Sequence, residues 1–357
     1  MLKKMVNECK INLSITTEGP LLVKSGYSTP FGSDMTPVVT HKDGKPQVFI
    51  PGSSIKGVLR SHLEKICRTL QEGSVCDPFL LYERKDDPHD NTWNDEKYQP
   101  VFCGRKFQVL KDIWDDKSEI ELTNKAAYAR SCLACRLFGS TFYTGRFSLN
   151  DAYVNDTDSP GNLIEKRDGV GIDRYTGGAA DGAKFELDVV RAGVEFSTEL
   201  YLRNFEVWQL GGLLLLIKDL EEGFIRIGSG RSRGLGKIKG AMDHLWLGYP
   251  KPLVEEMPNN EVWGLGKFLA NEDYGTSVED ILKLDIDLPY QEKGIRQHFA
   301  VVSTNGNASE SSAEFSQLIP ILQAKAIDYF VETAREYKPK EEMSYAYMLS
   351  QGGKKDA

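Results

Sequence analysis

Residues 71–144 constrain the fold of this 357-residue chain more than any other stretch. From Gln71 to about Thr144 no long periodic apolar element is evident, and acidic, aromatic and proline-containing pieces alternate. The stretch nevertheless holds four of the six cysteines, Cys76, Cys103, Cys132 and Cys135. Cys132 and Cys135 form a C-x-x-C pair that can present two thiolates to one metal from a single tight turn. Cys76 and Cys103 complete a four-sulfur tetrahedral set. A segment with so little apolar periodicity needs a staple to fold, and a structural Zn2+ without an open coordination position supplies one. His89 is the alternative ligand. Two other readings stand beside this one: reduced cysteines without metal, and a redox C-x-x-C, for which the surrounding thioredoxin-like βαβ unit is missing. Cys9 and Cys67 fall beside a strand and on a helix and read as core cysteines.

The flanking segments are periodic. Lys10–Thr17 alternates apolar and polar residues, as a half-buried strand does. Gln47–Ile50 is a second extended piece ended by Pro51-Gly52. Ser53 and Ser54 stand where an N-cap belongs, and Ile55, Val58, Leu59, Leu63 and Ile66 follow at helical spacing, so the pattern predicts a helix over 54–70. Asp43-Gly44 reads as a hairpin turn. Gly145–Val154 reads as a strand, and Gly161–Lys184, rich in glycine and charge, as an exposed excursion. Phe185–Val190 and Val194–Leu202 are expected to form a hairpin about Arg191-Ala192-Gly193. Asn204–Asp219 suits a second core helix, and a glycine-rich loop follows at 227–236. Beyond Gly248 the chain turns acidic; Ser312–Tyr337 is helical in pattern, with Pro320 predicting a kink or break near 319.

Strand, helix, strand, hairpin, helix, strand is the order of an α+β, ferredoxin-like βαββαβ core. That core would span residues 1–245, interrupted by the 71–144 insertion and followed by an acidic, partly helical extension over 246–357. No apolar run approaches the roughly 18 residues that span a bilayer; the longest is Leu210–Ile217. The N-terminal residues lack an apolar signal core, so a cytoplasmic protein without membrane partners is expected.

The formal charge of -8 argues against binding nucleic acid over the whole surface, but its distribution softens the objection. Residues 251–357 carry 18 acidic and 11 basic side chains, which leaves the first 250 within one charge of neutral. Within those, Phe224–Gly240 holds Arg226, Arg231, Arg233, Lys237 and Lys239 and no acid. A local basic loop of this kind can neutralise phosphates, or can be a solvated loop.

Two segments carry binding chemistry. In Ile50-Pro51-Gly52-Ser53-Ser54-Ile55-Lys56-Gly57-Val58-Leu59-Arg60, a helix N-terminus offers unpaired N–H groups to phosphate. Ser53, Ser54 and Lys56 add donors and charge, and Arg60 lies one turn on. An ordinary capped helix with a solvated basic face would show the same pattern. Ile227-Gly228-Ser229-Gly230-Arg231-Ser232-Arg233-Gly234-Leu235-Gly236-Lys237 fails the dinucleotide G-x-G-x-x-G spacing and has no Walker lysine. Its glycines would let a backbone approach an extended phosphate chain closely.

Together, "IPGSSIKGVLR" and the later "RIGSGRSRGLGKI" resemble the RAMP superfamily of CRISPR effector proteins, whose shared signature is the glycine-rich loop. "SCLACRLFGS" (Ser131–Ser140) resembles the cysteine-pair and "LFG" element of type III members. "GVGIDRYTGGAADGAKFELDVV" (Gly169–Val190) is similar to the hairpin that reaches over the guide–target duplex as a thumb in their backbone subunits. The matches span roughly residues 8–240. The resemblance implies an RRM-like core with a thumb-like hairpin at 160–190 and CRISPR guide RNA, target RNA and other RAMP subunits as partners. RNA contacts would come from Ser53, Ser54, Lys56, Arg60, Arg174, Tyr175, Gly230, Arg231, Arg233 and Gly234, with the cations binding backbone rather than reading sequence. It also implies that Asp34, upstream of the "PGSSIKG" segment, corresponds to the loop aspartate of target-cleaving subunits, although two residues separate it from Pro37 where the pattern has one. There it would position a divalent metal, Mg2+ or Mn2+, or accept the 2′-hydroxyl proton, in a metal-dependent endoribonuclease. A turn aspartate is the competing reading. A non-catalytic RNA-binding subunit of the same complex is the alternative function. A guide-processing endonuclease is a further one, with only His41 and His62 near the RNA motifs to support it.

Overall fold

The computed structural model describes residues 4–25, 33–42, 44–76, 103–104, 124–155, 160–269, 276–303 and 310–338. In chain order these form β1 (Glu8–Thr17), β2 (Val39–Lys42), β3 (Lys45–Ile50), α1 (Gly52–Leu70), α2 (Asn124–Arg130), α3 (Leu133–Phe138), β4 (Gly139–Ser140) and β5 (Tyr143–Thr144). β6 (Phe147–Leu149), β7 (Ala152–Val154), α4 (Pro160–Leu163), β8 (Ile164–Ile172), β9 (Ala179–Val190), β10 (Glu195–Arg203), α5 (Val207–Glu221) and β11 (Ile238–Pro250) follow. The last are β12 (Glu261–Trp263), α6 (Leu265–Phe268), β13 (Ile281–Lys283), β14 (Gln291–Lys293), β15 (Arg296–Val302) and α7 (Glu310–Glu336).

The alternation read in β1 buries Cys9, Ile11, Leu13 and Ile15, which commits β1 to the sheet centre. It pairs antiparallel with β10 on one side, Glu8 opposite Arg203, and with β11 on the other, Thr17 opposite Ile238. β10 in turn pairs with β6 and β7. With α1 between β1 and β6, and α5 between β10 and β11, the order β11-β1-β10-β7 is that of a ferredoxin-like βαββαβ unit. The sheet then grows at both ends, to β14-β15-β11-β1-β10-β7-β3-β2.

The second core strand is broken. At Asn150-Asp151 the strand is interrupted: the Asn150 N–H still donates to Glu199 O at 3.0 Å, but its carbonyl accepts from Thr198 Oγ1 at 2.8 Å. The break frees Asp151 to accept the Gly52 N–H at 2.7 Å, so a carboxylate from the sheet caps the start of α1. Pro51 is the N-cap residue, without a side-chain cap; Ser53 and Ser54 lie inside the first turn, a correction to their expected capping role.

α5 is buried nearly all round because α7 covers the side that a two-helix core would leave open. The helices meet at glycine: a Cβ on Gly211 would come 1.9 Å from the Ala326 carbonyl oxygen, and Phe330 packs over Gly212. α7 runs unbroken from Glu310 to Glu336 with Pro320 inside it. β11 runs across residue 245, and Phe299, Val301, Leu322, Ala326 and Phe330 share one core with β1, α1 and α5. The segment after 245 therefore completes the same core.

The expected hairpin of 185–190 with 194–202 does not form. β9 pairs with β8, not β10, and the 191–193 turn carries the chain from one sheet to another. Gly193 N–H donates to Thr17 O at 2.7 Å and Arg191 N–H to Leu163 O at 2.9 Å. β1 takes one edge of β10, and β6 and β7 take the other. Among the described residues no helix is long and apolar enough to cross a membrane.

Candidate metal centre and nucleic-acid interface

Cys76 follows the turn that ends α1, Cys132 caps the start of α3, and Cys135 sits in its first turn, with its N–H donating to Cys132 Sγ at 3.5 Å. With Cys103 they bring four buried sulfurs within 4.8 Å of one another. Cys76 Sγ lies 3.6 Å from both Cys132 Sγ and Cys135 Sγ. Thiolates tetrahedral about zinc at about 2.3 Å would be separated by about 3.8 Å, so this set fits a single ion such as zinc. Sulfur hydrogen bonds from Cys103, then Cys135 and Cys76, hold the Cys132 thiol well below the ordinary thiol range. His89 lies outside the described residues.

The basic face of α1 surrounds this cluster. Arg60 Nε donates to Glu64 at 2.9 Å, and its two terminal nitrogens donate to Gly139 O at 3.2 Å and Cys135 Sγ at 3.2 Å. Arg68 donates to the Cys76 carbonyl at 3.1 Å, and Lys56 donates to Phe147 O at 3.3 Å. Burial, and then the charge of Arg60, push the Lys56 ammonium down. Lys56, Arg60, Cys76, Cys103 and Cys135 line one cavity of about 480 Å³. Three cations and Glu64 sum to two positive charges, the complement of a divalent ion held by four thiolates. The next layer is also ionic: Arg136, beside Cys135, pairs with buried Glu206 at 2.9 Å, and Glu206 closes the capping box of α5. Arg60 was expected on the RNA side. Its guanidinium is held at the cysteine cluster by the Cys135 sulfur and the Gly139 carbonyl, 75 and 79 residues further along the chain, and by Glu64 one turn on.

The glycine-rich loop is outward and rigid. Arg231–Arg233 form one 3-10 turn flanked by Gly230 and Gly234, both left-handed at φ 71° and 85°. The loop is pinned by Ser229 N–H to Leu22 O at 2.8 Å and Gly236 N–H to Pro20 O at 2.7 Å. Only glycine fits the pins: a Cβ would come 2.4 Å from Leu22 O at Gly228, and 2.1 Å from Ile227 O at Gly236. Arg231 and Arg233 remain exposed, and the Arg233 guanidinium stands 5.6 Å from the Phe185 ring.

β9 connects this loop to Asp34. Exposed Asp34 accepts the Glu186 N–H through Oδ2 at 2.8 Å, Ser33 Oγ donates to Asp188 at 2.7 Å, and Met35 bridges Leu187. Beneath them Leu22, Val189 and Leu235 form a small apolar cluster of their own, with Met35 and Leu187 against it. Asp34, the root of the β8–β9 hairpin and the glycine-rich loop thus share one surface. Arg174 and a fully exposed Tyr175 occupy the hairpin tip, where Asp173 accepts the N–H groups of Tyr175 and Thr176 at 2.7 and 3.2 Å. Asp43 lies outside the described residues.

Sequence reasoning missed Asp151, Glu64, Arg68 and Phe185. Glu64 and Arg68 carried a legible signal, standing four and eight residues after Arg60 on one helical stripe. Asp151 and Phe185 act only through contacts that tertiary structure makes.

The RAMP superfamily model matches residues 14–239, and the chain belongs to that superfamily. No curated protein matches the sequence. Membership makes a CRISPR-associated, RNA-binding role the reading that the exposed arginines and the pinned glycine loop have to serve.

Proposed function

We propose that the chain is a guide-RNA-binding backbone subunit of a type III effector complex and that it cuts target RNA at Asp34. The observation that carries the reading is the convergence on β9: the Asp34 carboxylate, the exposed β8–β9 hairpin and the exposed Arg233 meet on one strand from distant parts of the sequence. Arg231 and Arg233 would bind guide phosphates, with Gly230 and Gly234 allowing close approach. Arg174 and Tyr175 on the 160–190 hairpin would act as a thumb between guide and target. Ser53, Ser54 and Lys56 would contribute at the start of α1. A divalent ion, Mg2+ or Mn2+, would supply charge at the scissile phosphate. Asp34 would hold that charge or take the 2′-hydroxyl proton, leaving a cyclic phosphate and a 5′-hydroxyl. One structural Zn2+ on Cys76, Cys103, Cys132 and Cys135 would hold the insertion.

One observation favours the non-catalytic alternative: Asp34 already has a structural task, accepting the Glu186 N–H. Asp34→Asn separates the two, since the amide oxygen keeps that hydrogen bond while the charge is lost. In the assembled complex, target cleavage by this variant should fall by about 100-fold or more with guide RNA retained. Cutting at every original site at the original rate would leave a purely RNA-holding subunit.

A further inference from the structure

We propose that the surface around Phe224 is a base-stacking site for single-stranded RNA, extending the phosphate-binding loop by a nucleotide platform. It deepens the RNA-binding reading and rests on it. Phe224 ends α5 in a Schellman turn: its N–H donates to Asp219 O at 2.9 Å, and the Gly223 N–H donates to Leu220 O at 3.2 Å. An apolar residue there commonly packs back on the helix position that receives its N–H. Here that position is the polar Asp219, and the Phe224 ring is left 67% exposed.

The backbone beyond it is fixed. Arg226 bridges Lys237 antiparallel, and in that register Phe224 falls on the side of Lys239, two residues further along. Burial alternates in step on both strands: Ile225, Ile227, Ile238 and Gly240 point inward, and Phe224, Arg226, Lys237 and Lys239 point outward. An exposed aromatic ring and three cations therefore share the outward side of this segment. Lys237 is drawn to Glu18 at 3.0 Å, and Arg226 donates to the Arg231 carbonyl at 3.1 Å, which ties the patch directly to the glycine-rich loop. The ordering entropy of the ring's backbone is already spent in the fold, so a base that stacks on it avoids that penalty. Aromatic rings interleaved with cations suit a strand whose bases are unpaired, because every base has a π-face while Arg226 and Lys239 take the phosphates.

The test measures affinity of the full-length protein for a single-stranded RNA and for an abasic oligomer of equal length. Phe224→Ala should weaken RNA binding about ten-fold and leave the abasic oligomer unaffected. Phe224→Trp should restore it, and a 5-iodouracil-bearing RNA should photo-cross-link to Phe224. Arg231→Ala with Arg233→Ala should weaken both ligands. If that double variant weakens RNA binding and Phe224→Ala does not, the stacking site is wrong and the RNA reading stands. If the unmodified protein binds neither ligand, both fall. If Phe224→Ala leaves RNA affinity intact but disrupts assembly with a neighbouring subunit, the patch is a protein interface and the proposal is overturned.

Discussion

The start of α1 and the glycine-rich loop are built from the same materials, glycine, serine and closely spaced cations, and the fold uses them in opposite ways. At α1, Asp151 closes the helix end and Arg60 turns toward Cys135, so that cation faces an internal sulfur cluster. At the loop, the backbone does the inward bonding, through Ser229 and Gly236, and the arginines are left outside. A cation can serve an external phosphate only where the protein has not already supplied it with an anion. At α1 the Arg60 side chain binds inward; at the loop the backbone does so and the arginine side chains face solvent.

The largest effect expected is at the sulfur cluster. Purified protein should hold about one equivalent of zinc, and Cys135→Ser should release it and destabilise the chain by on the order of 5 kcal/mol, read by elemental analysis and urea unfolding. Protein prepared without chelator and free of metal would break the internal half of the comparison. Next is Gly236→Val in the loop, expected to cost about 3 kcal/mol or more, because a left-handed backbone at φ 77° and a close carbonyl oppose it together.

The arginines sharpen the contrast further. Arg60→Ala should lower stability by about 2 kcal/mol, from a cut charge-assisted network, and quicken zinc release to a chelator, with the salt dependence of RNA binding unchanged. Arg231→Ala with Arg233→Ala should do the reverse. Stability should move by under about 0.5 kcal/mol, while the salt slope flattens by roughly 0.7 for each phosphate no longer neutralised. An unchanged slope in the double variant would remove the loop from the RNA surface. The one stabilising change expected is at Gly57, the glycine within α1. A Cβ there meets nothing within 4 Å and φ is not positive, so Gly57→Ala should stabilise by about 0.5–1 kcal/mol. A drop in stability there would mean that the helix start holds a constraint absent from its packing.

Much of this was legible in the sequence, and in each case the cause is local. Alternation marked β1 because a strand at a half-buried position repeats every two residues. Helical spacing marked α1, and the C-x-x-C turn fixes two sulfurs by geometry alone. Glycine clustering marked the loop because left-handed backbone selects for that residue. What only the tertiary structure decided is pairing across long separations. β9 joined β8, while β1 took one edge of β10 and β6 and β7 the other. Asp34 found its partner 152 residues away at Glu186, and Arg60 its sulfur 75 residues away at Cys135. Periodicity and turn chemistry are written in neighbouring residues, but the direction a charge faces depends on which opposite charge the folded chain brings to it, and no local pattern encodes that distance.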